Sequence, residues 1–316
     1  MGDVILTLPA CIYLKSLFPN VTISIIARTY TQPIVDCCPA IDHFINYDEF
    51  RELPEREQVD FLKQKNIDVI VHAFPNRKIA VAARKANIKI RIGTTSKNFH
   101  FFTCNKLIRL SRRNSDLHEA QQNIFLLKPL GVDHVPTIGT IANYYTRDNF
   151  RQKHELPGRL KKHLDKDKFN LILHTKSNGN GREWDMDNFT KLIAQLPPDK
   201  FHIIITGSAK EHELFKTWIP KLEAPVTDLS GQMTLDELIS FVCSADGLLA
   251  SGTGPLHLGA ASGIHTLGLF PITRSVNATR WAPLGIKAEH IESDSDDLSS
   301  ITEDMVLKRI MNWLKN

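Results

Sequence analysis

From Asp246 to Phe270 the chain reads DGLLASGTGPLHLGAASGIHTLGLF. Two short apolar runs, DGLLA and HTLGLF, are the length of buried strands, and a small polar turn and a helix start lie between them. Such an order constrains the fold to parallel strands joined through a helix. Ser251, Gly252, Thr253 and Gly254 lead into Pro255, which suits a first helical turn because its missing N–H has no partner there anyway. A helix N-terminus carries unpaired N–H groups and about half a positive charge, so this turn can hold a phosphate, with His257 as a further donor. The alternative is that the glycines only close a tight strand-to-helix connection.

The same alternation runs through the whole chain. Strands are predicted at 21–27, 68–72 and 88–92 in the first half, and at 170–174, 201–206, 247–250 and 265–270 in the second. Helices are predicted at 187–196, 209–218 and 234–243, starting near Asp185 or Asp187, Ser208 and Thr234. The charged connector 146–168 marks a boundary, giving domains 1–160 and 161–316. The architecture expected is α/β, two doubly wound Rossmann-like domains facing a cleft, with ligands at strand C-terminal ends. Residues 300–316 read as an amphipathic helix that packs back across the cleft onto the first domain.

The 316 residues suit two domains, and 42% hydrophobic with 23% charged residues is a soluble balance. No apolar run reaches 18 residues, and the start MGDVILTLPACIYL lacks a basic leader, so the expected location is the cytoplasm. Five scattered cysteines argue against a disulfide framework or structural zinc. Between Arg77 and Arg113 lie eleven Lys or Arg and no Asp or Glu. A field of one sign implies an acidic partner: a phosphorylated glycolipid, an anionic bilayer surface or nucleic acid. Nucleic acid is the poorest fit, because Phe99, Phe101 and Phe102 come without a nucleic-acid-binding signature and can equally enter a membrane interface. A merely solvated cationic face is the competing reading.

Several chemistries are excluded. The glycines at 179 and 181 and at 252 and 254 do not complete GxGxxG, and neither GxxxxGK[ST] nor GxSxG occurs. The acidic groups at 294–297 and 165–167 read as solvated turns, so no metal is expected. Sugar-nucleotide binding remains. The loop TKSNGNGREW (175–184) has small residues, among them Ser177, that admit a ligand to the backbone, and Lys176 and Arg182 can balance a diphosphate. Glu211 is placed to accept ribose hydroxyls, Met233 to cover an adenine face, and Trp184 is either a core anchor or a site residue.

MGDVILTLPA (1–10), RTYTQPIVDCCPAID (28–42), HEAQQN (118–123), GREW, TGSAKE and SGTGPLHLGAASG together resemble the ADP-heptose lipopolysaccharide heptosyltransferases, glycosyltransferase family 9. The resemblance spans nearly the whole chain in order. It implies a GT-B fold and metal-independent, inverting transfer from an ADP-sugar to a lipid A/Kdo-type glycolipid at the inner membrane surface, with no cofactor. It makes Asp3 the general base, and it places the donor on Ser177, Arg182, Glu211, Met233, Ser251, Thr253, Gly254 and His257. The acceptor is expected at Lys97, Arg112 and His118. Three departures stand beside it: about ten residues that form a leading strand in the family do not precede MGDV, Gly252 stands where many members carry Asp, and Arg182 replaces a lysine. A catalytically silent member that binds nucleotide or glycolipid is the alternative, and a nucleotide-sugar epimerase on the same fold is a third reading.

Overall fold

The computed structural model describes residues 1–112, 114–177, 179 and 181–315. Arg113 of the basic segment, Asn178 and Asn180 of the 175–184 loop, and Asn316 at the end of the terminal helix lie outside the described residues. The chain forms two compact units, Leu6–Ile141 and Ala142–Asn316 joined by Met1–Ile5.

The larger unit is built on one six-stranded parallel sheet. Its strands are β6 (Phe169–His174), β7 (Phe201–Ile205), β8 (Val226–Asp228), β9 (Gly247–Ser251), β10 (His265–Phe270) and β11 (Ala288–Glu292). They lie in the order β11-β10-β9-β6-β7-β8. This is the doubly wound order, with its reversal between the first strand, β6, and the fourth, β9. Both strands are buried along nearly their full length, which is why they read as unbroken apolar runs rather than alternating ones. The flanking helices start where their caps dictate. Asp185 accepts from the Asp187 amide, and Ser208 and Thr234 form reciprocal capping boxes with Glu211 and Glu237.

The smaller unit carries two separate parallel sheets. One pairs β1 (Ser24–Ala27) with β2 (His43–Asn46), and the other orders β3 (Val69–Val71), β4 (Ile90–Thr94) and β5 (Lys106–Ile108). Helices cover them, among them Arg77–Lys85, which buries Ile79, Ala80, Ala82 and Ala83 and turns its cations outward.

Two expectations from sequence are corrected. The boundary at 160/161 gives way to one at 141/142, and residues 1–5 leave the first domain. The causes are side-chain bonds: Tyr145 donates to the Ile5 carbonyl at 2.7 Å, Ser240 to the His154 carbonyl at 2.8 Å, and Arg159 pairs with Glu237 at 2.5 Å. The connector is thereby fastened to the larger unit. The terminal helix, Glu303–Asn312, packs on the Met186–Gln195 helix of that same unit. Trp313 anchors it, 3% exposed, stacked on Phe169 and His265 and donating its indole N–H to Glu289 at 3.0 Å.

Candidate active site

Strand order alone locates a crevice between the C-terminal ends of β6 and β9, where neighbouring connections leave in opposite directions. The chain that follows β6 is the 175–184 loop, and the chain that follows β9 is Gly252–Gly254. They meet closely, since a Cβ on Gly181 would lie 2.8 Å from the Gly252 carbonyl oxygen. The Gly254–Ala261 helix starts directly after that turn, so its N-terminal end follows the C-terminal end of β9. Thr253 is its N-cap in backbone conformation, yet its hydroxyl makes no capping bond. That hydroxyl and the one on Thr175 are both buried without a hydrogen-bond partner. Thr175, which the sequence reading passed over, is 1% exposed, and Thr253 is 6% exposed. Two orphaned hydroxyls, one at a helix N-cap and one directly after the neighbouring strand, suit an oxygen-rich anion, and their hydrogen bonds are costly to leave unmade.

The 175–184 loop is braced from within. Glu183 accepts from Lys176 at 3.0 Å, from the Ser177 amide at 2.7 Å and from the Ser177 hydroxyl at 2.9 Å. Partial burial works against ionisation of Glu183, but the Ser177 amide, Lys176 and the Ser177 hydroxyl outweigh it and hold the carboxyl below its ordinary range. Ser177 and Lys176 therefore also shape the loop from which the expected donor contacts would be made. Arg182 stays exposed. Trp184 resolves as a core anchor, 1% exposed, with its indole N–H on the Ile301 carbonyl at 2.8 Å and its ring edge-on to Phe189. Ser251, 2% exposed, accepts from the Trp184 amide at 3.3 Å and so ties the two loops together.

On the other side of β6, Glu211 is 5% exposed, and its Oε2 takes the Ser208 amide and hydroxyl at 2.6 and 2.9 Å. Its neighbour His174 bonds the Thr206 hydroxyl at 3.0 Å; burial pushes this imidazole well down, and the Glu211 charge opposes the shift. In the smaller unit, burial and then the His100 imidazole take His72 down to about 4. Histidines that are neutral when folded bind fewer protons than in the unfolded chain once the pH falls below the ordinary value of about 6.5, so stability must fall from there toward pH 4. The loss at His72 alone is expected to be about 3 kcal/mol by pH 4. Denaturant melts at pH 7.5 and 5 check the sign: His72→Phe should flatten the acid slope, and an unchanged slope would refute the assignment.

The unexpected neighbour of the crevice is the start of the chain. Gly2–Ile5 forms one helical turn that packs on the Gly254–Ala261 helix. A Cβ on Gly2 would meet the His257 ring at 2.9 Å, and one on Gly254 would meet the Met1 Cβ at 2.9 Å. Asp3 is exposed on that turn, and its charge acts on the Met1 amino group. Asp3 thus belongs to the same compact unit as the Gly252–Gly254 turn, whereas the sequence places it in the other domain. His257 is buried, 4% exposed, and its ring faces Trp281 at 6.5 Å. Met233 is half-buried, one residue before the Thr234 cap.

Of the three residues expected at an acceptor site, two are engaged within the fold. His118 is 2% exposed and caps the Glu119–Phe125 helix, accepting from the Ala120 amide at 3.2 Å. The Arg112 guanidinium pairs with the fully buried Glu119 and donates to the Ala73 carbonyl at 2.7 Å and to Asn123 at 2.8 Å. Lys97 alone of the three is exposed. Among the described residues, no group of three or more His, Cys, Asp or Glu could hold a metal ion, and no helix is long and apolar enough to cross a membrane.

A doubly wound sheet with a helix-starting turn at its switch point, together with a second α/β unit, matches the GT-B fold class. Residues 59–310 match the family model for glycosyltransferase family 9 (heptosyltransferase), and the chain belongs to that family. Lipopolysaccharide heptosyltransferase 3 of Escherichia coli is 22% identical over 301 residues, covering 89% of this chain and 84% of the relative. Among solved structures, E. coli ADP-heptose lps heptosyltransferase II superposes with a TM-score of 0.76 at 19% identity, over 99% of this chain and 96% of that one. E. coli heptosyltransferase WaaC with ADP gives 0.74 at 17% identity, over 99% and 97%.

Proposed function

We propose that the protein transfers a heptose, or a related sugar, from an ADP-sugar to an anionic inner-core lipopolysaccharide acceptor, with inversion and without a metal ion. The observation that carries this reading is a pair of orphaned hydroxyls, Thr253 at the N-cap of the Gly254–Ala261 helix and Thr175 directly after β6, the strand paired with the one that leads into that helix. The donor diphosphate lies on that helix end, with Arg182 and His257 adding donors, Glu211 on the ribose and Met233 over the adenine. Asp3 takes the proton of the acceptor hydroxyl as its oxygen bonds to the anomeric carbon and the carbon–phosphate oxygen bond breaks. The electron pair leaves on the ADP phosphate, where the amides stabilise the growing charge. Lys97 and neighbouring cations meet the acceptor's negative groups, and the protein works in the cytoplasm at the inner membrane surface. The relatives' names supply the heptose and the lipopolysaccharide, and the crevice chemistry supports the diphosphate.

Thr175→Val and Thr253→Val test the reading without disturbing shape. Each change removes a hydroxyl that bonds nothing in the protein, so the fold should keep or slightly gain stability while ADP binds about 5- to 20-fold more weakly. Calorimetric titration with ADP, paired with thermal melts, reads both. Unchanged affinity in both variants would remove these hydroxyls from the donor site.

A further inference from the structure

Phe101 and Phe102 sit side by side on the one-turn helix His100–Thr103, with 53% and 73% of their surface in solvent. Leu107, on the strand that follows, is 36% exposed. The short helix has no freedom to bury them. His100 is locked behind it, fully buried, with its Nδ1 accepting from the Thr94 amide at 2.9 Å, and Gly93 leaves the room that its ring occupies. At the other end, Arg91 donates to the Thr103 carbonyl at 2.8 Å. Two large aromatic rings are thus presented to water on a rigid base, which is costly without a partner.

The cations of the same 77–113 segment separate into two kinds. Arg91, Arg112 and Lys85 are engaged, the last with Glu55. Arg77, Lys78, Arg84, Lys89, Lys97, Lys106 and Arg109 are exposed, and the first three stand on the Arg77–Lys85 helix that packs against the phenylalanine turn. Exposed aromatic rings on a turn packed against a cation-bearing helix match the headgroup layer of an anionic bilayer, where the rings enter the acyl boundary and the cations face lipid phosphates. We propose that Phe101 and Phe102, with these cations, form the surface by which the protein docks on an anionic membrane. This deepens the peripheral-membrane part of the function proposed above and rests on the reading of a lipid-borne acceptor. Nucleic acid would use the cations but gives no reason for apolar exposure on a rigid turn.

The test is flotation of the full chain with vesicles of phosphatidylcholine alone or with about one third phosphatidylglycerol. The protein should bind the anionic vesicles and leave the neutral ones, and its binding should fade as salt rises. Phe101→Ser with Phe102→Ser should lower the partition coefficient about tenfold or more, while ADP titration and thermal melts stay as in the parent chain. Lys106→Ala with Arg109→Ala should lower it several-fold. Equal binding to both vesicle types, an unchanged partition coefficient in the phenylalanine variant, or displacement of vesicles by a short single-stranded oligonucleotide would each overturn the proposal. A protein that transfers sugar but ignores vesicles loses this surface alone; one that binds vesicles but not ADP keeps the surface and loses the proposed function.

Discussion

Asp3→Asn is expected to slow sugar transfer by about 10²- to 10⁴-fold, the range that a positioned general base contributes, with ADP affinity unchanged. The substitution keeps the size and hydrogen-bonding reach of the side chain and removes only its ability to take a proton. The structure gives the residue a fixed post: its helical turn rests on the Gly254–Ala261 helix through Met1 and Gly2, on two contacts that admit no extra carbon without a shift. The side chain itself remains exposed. Loss of turnover with ADP binding intact separates proton transfer from donor binding. Turnover within a few-fold of the parent would take Asp3 out of the chemistry.

Glu119→Ala is expected to cost the smaller unit about 3–5 kcal/mol, because it strands the Arg112 guanidinium, 16% exposed, without its fully buried counter-charge. More than a pair is lost. Arg112 also ties the Ala73 carbonyl and Asn123, and Asn123 in turn donates to the Leu6 carbonyl at 3.0 Å. One network therefore links the end of β3, the Glu119–Phe125 helix and the first residue of the unit. Hydrogen exchange resolved by peptide should show lost protection across Leu6–Ile141 and little change in the six-stranded sheet. Arg112→Met together with Glu119→Leu should recover much of the loss, since buried pairs are often replaceable by apolar groups. A Glu119→Ala protein that melts with the parent would show that the pair is worth no more than a surface one.

How much of this was legible in the sequence depended on burial. Strands β6, β7, β9 and β10 lie inside the sheet and were read to within a residue at each end, because continuous apolar runs are the mark of strands covered on both faces. The strands missed, HFIN, KLI, VTD and AEHIE, are sheet edges, short and half-polar, with little to distinguish them from loops. The caps at Asp185, Ser208 and Thr234 are local hydrogen bonds and were visible for that reason. The partners of Arg112 and His118 were not legible, because a sequence shows a charge without showing what it pairs with. The contact of Met1 and Gly2 with residues some 250 positions away has no local signature at all. Thr175 could have been found, for a threonine directly after the first strand of a doubly wound sheet stands at the switch point.

The central claim is that the turn before Pro255 and the hydroxyls beside it hold a diphosphate. Titration calorimetry with ADP and with AMP tests it most directly. A saturating isotherm for ADP, with AMP weaker by about tenfold for want of the second phosphate, is the result expected. No heat with ADP at millimolar concentration on folded protein, or equal affinity for the two nucleotides, would contradict it.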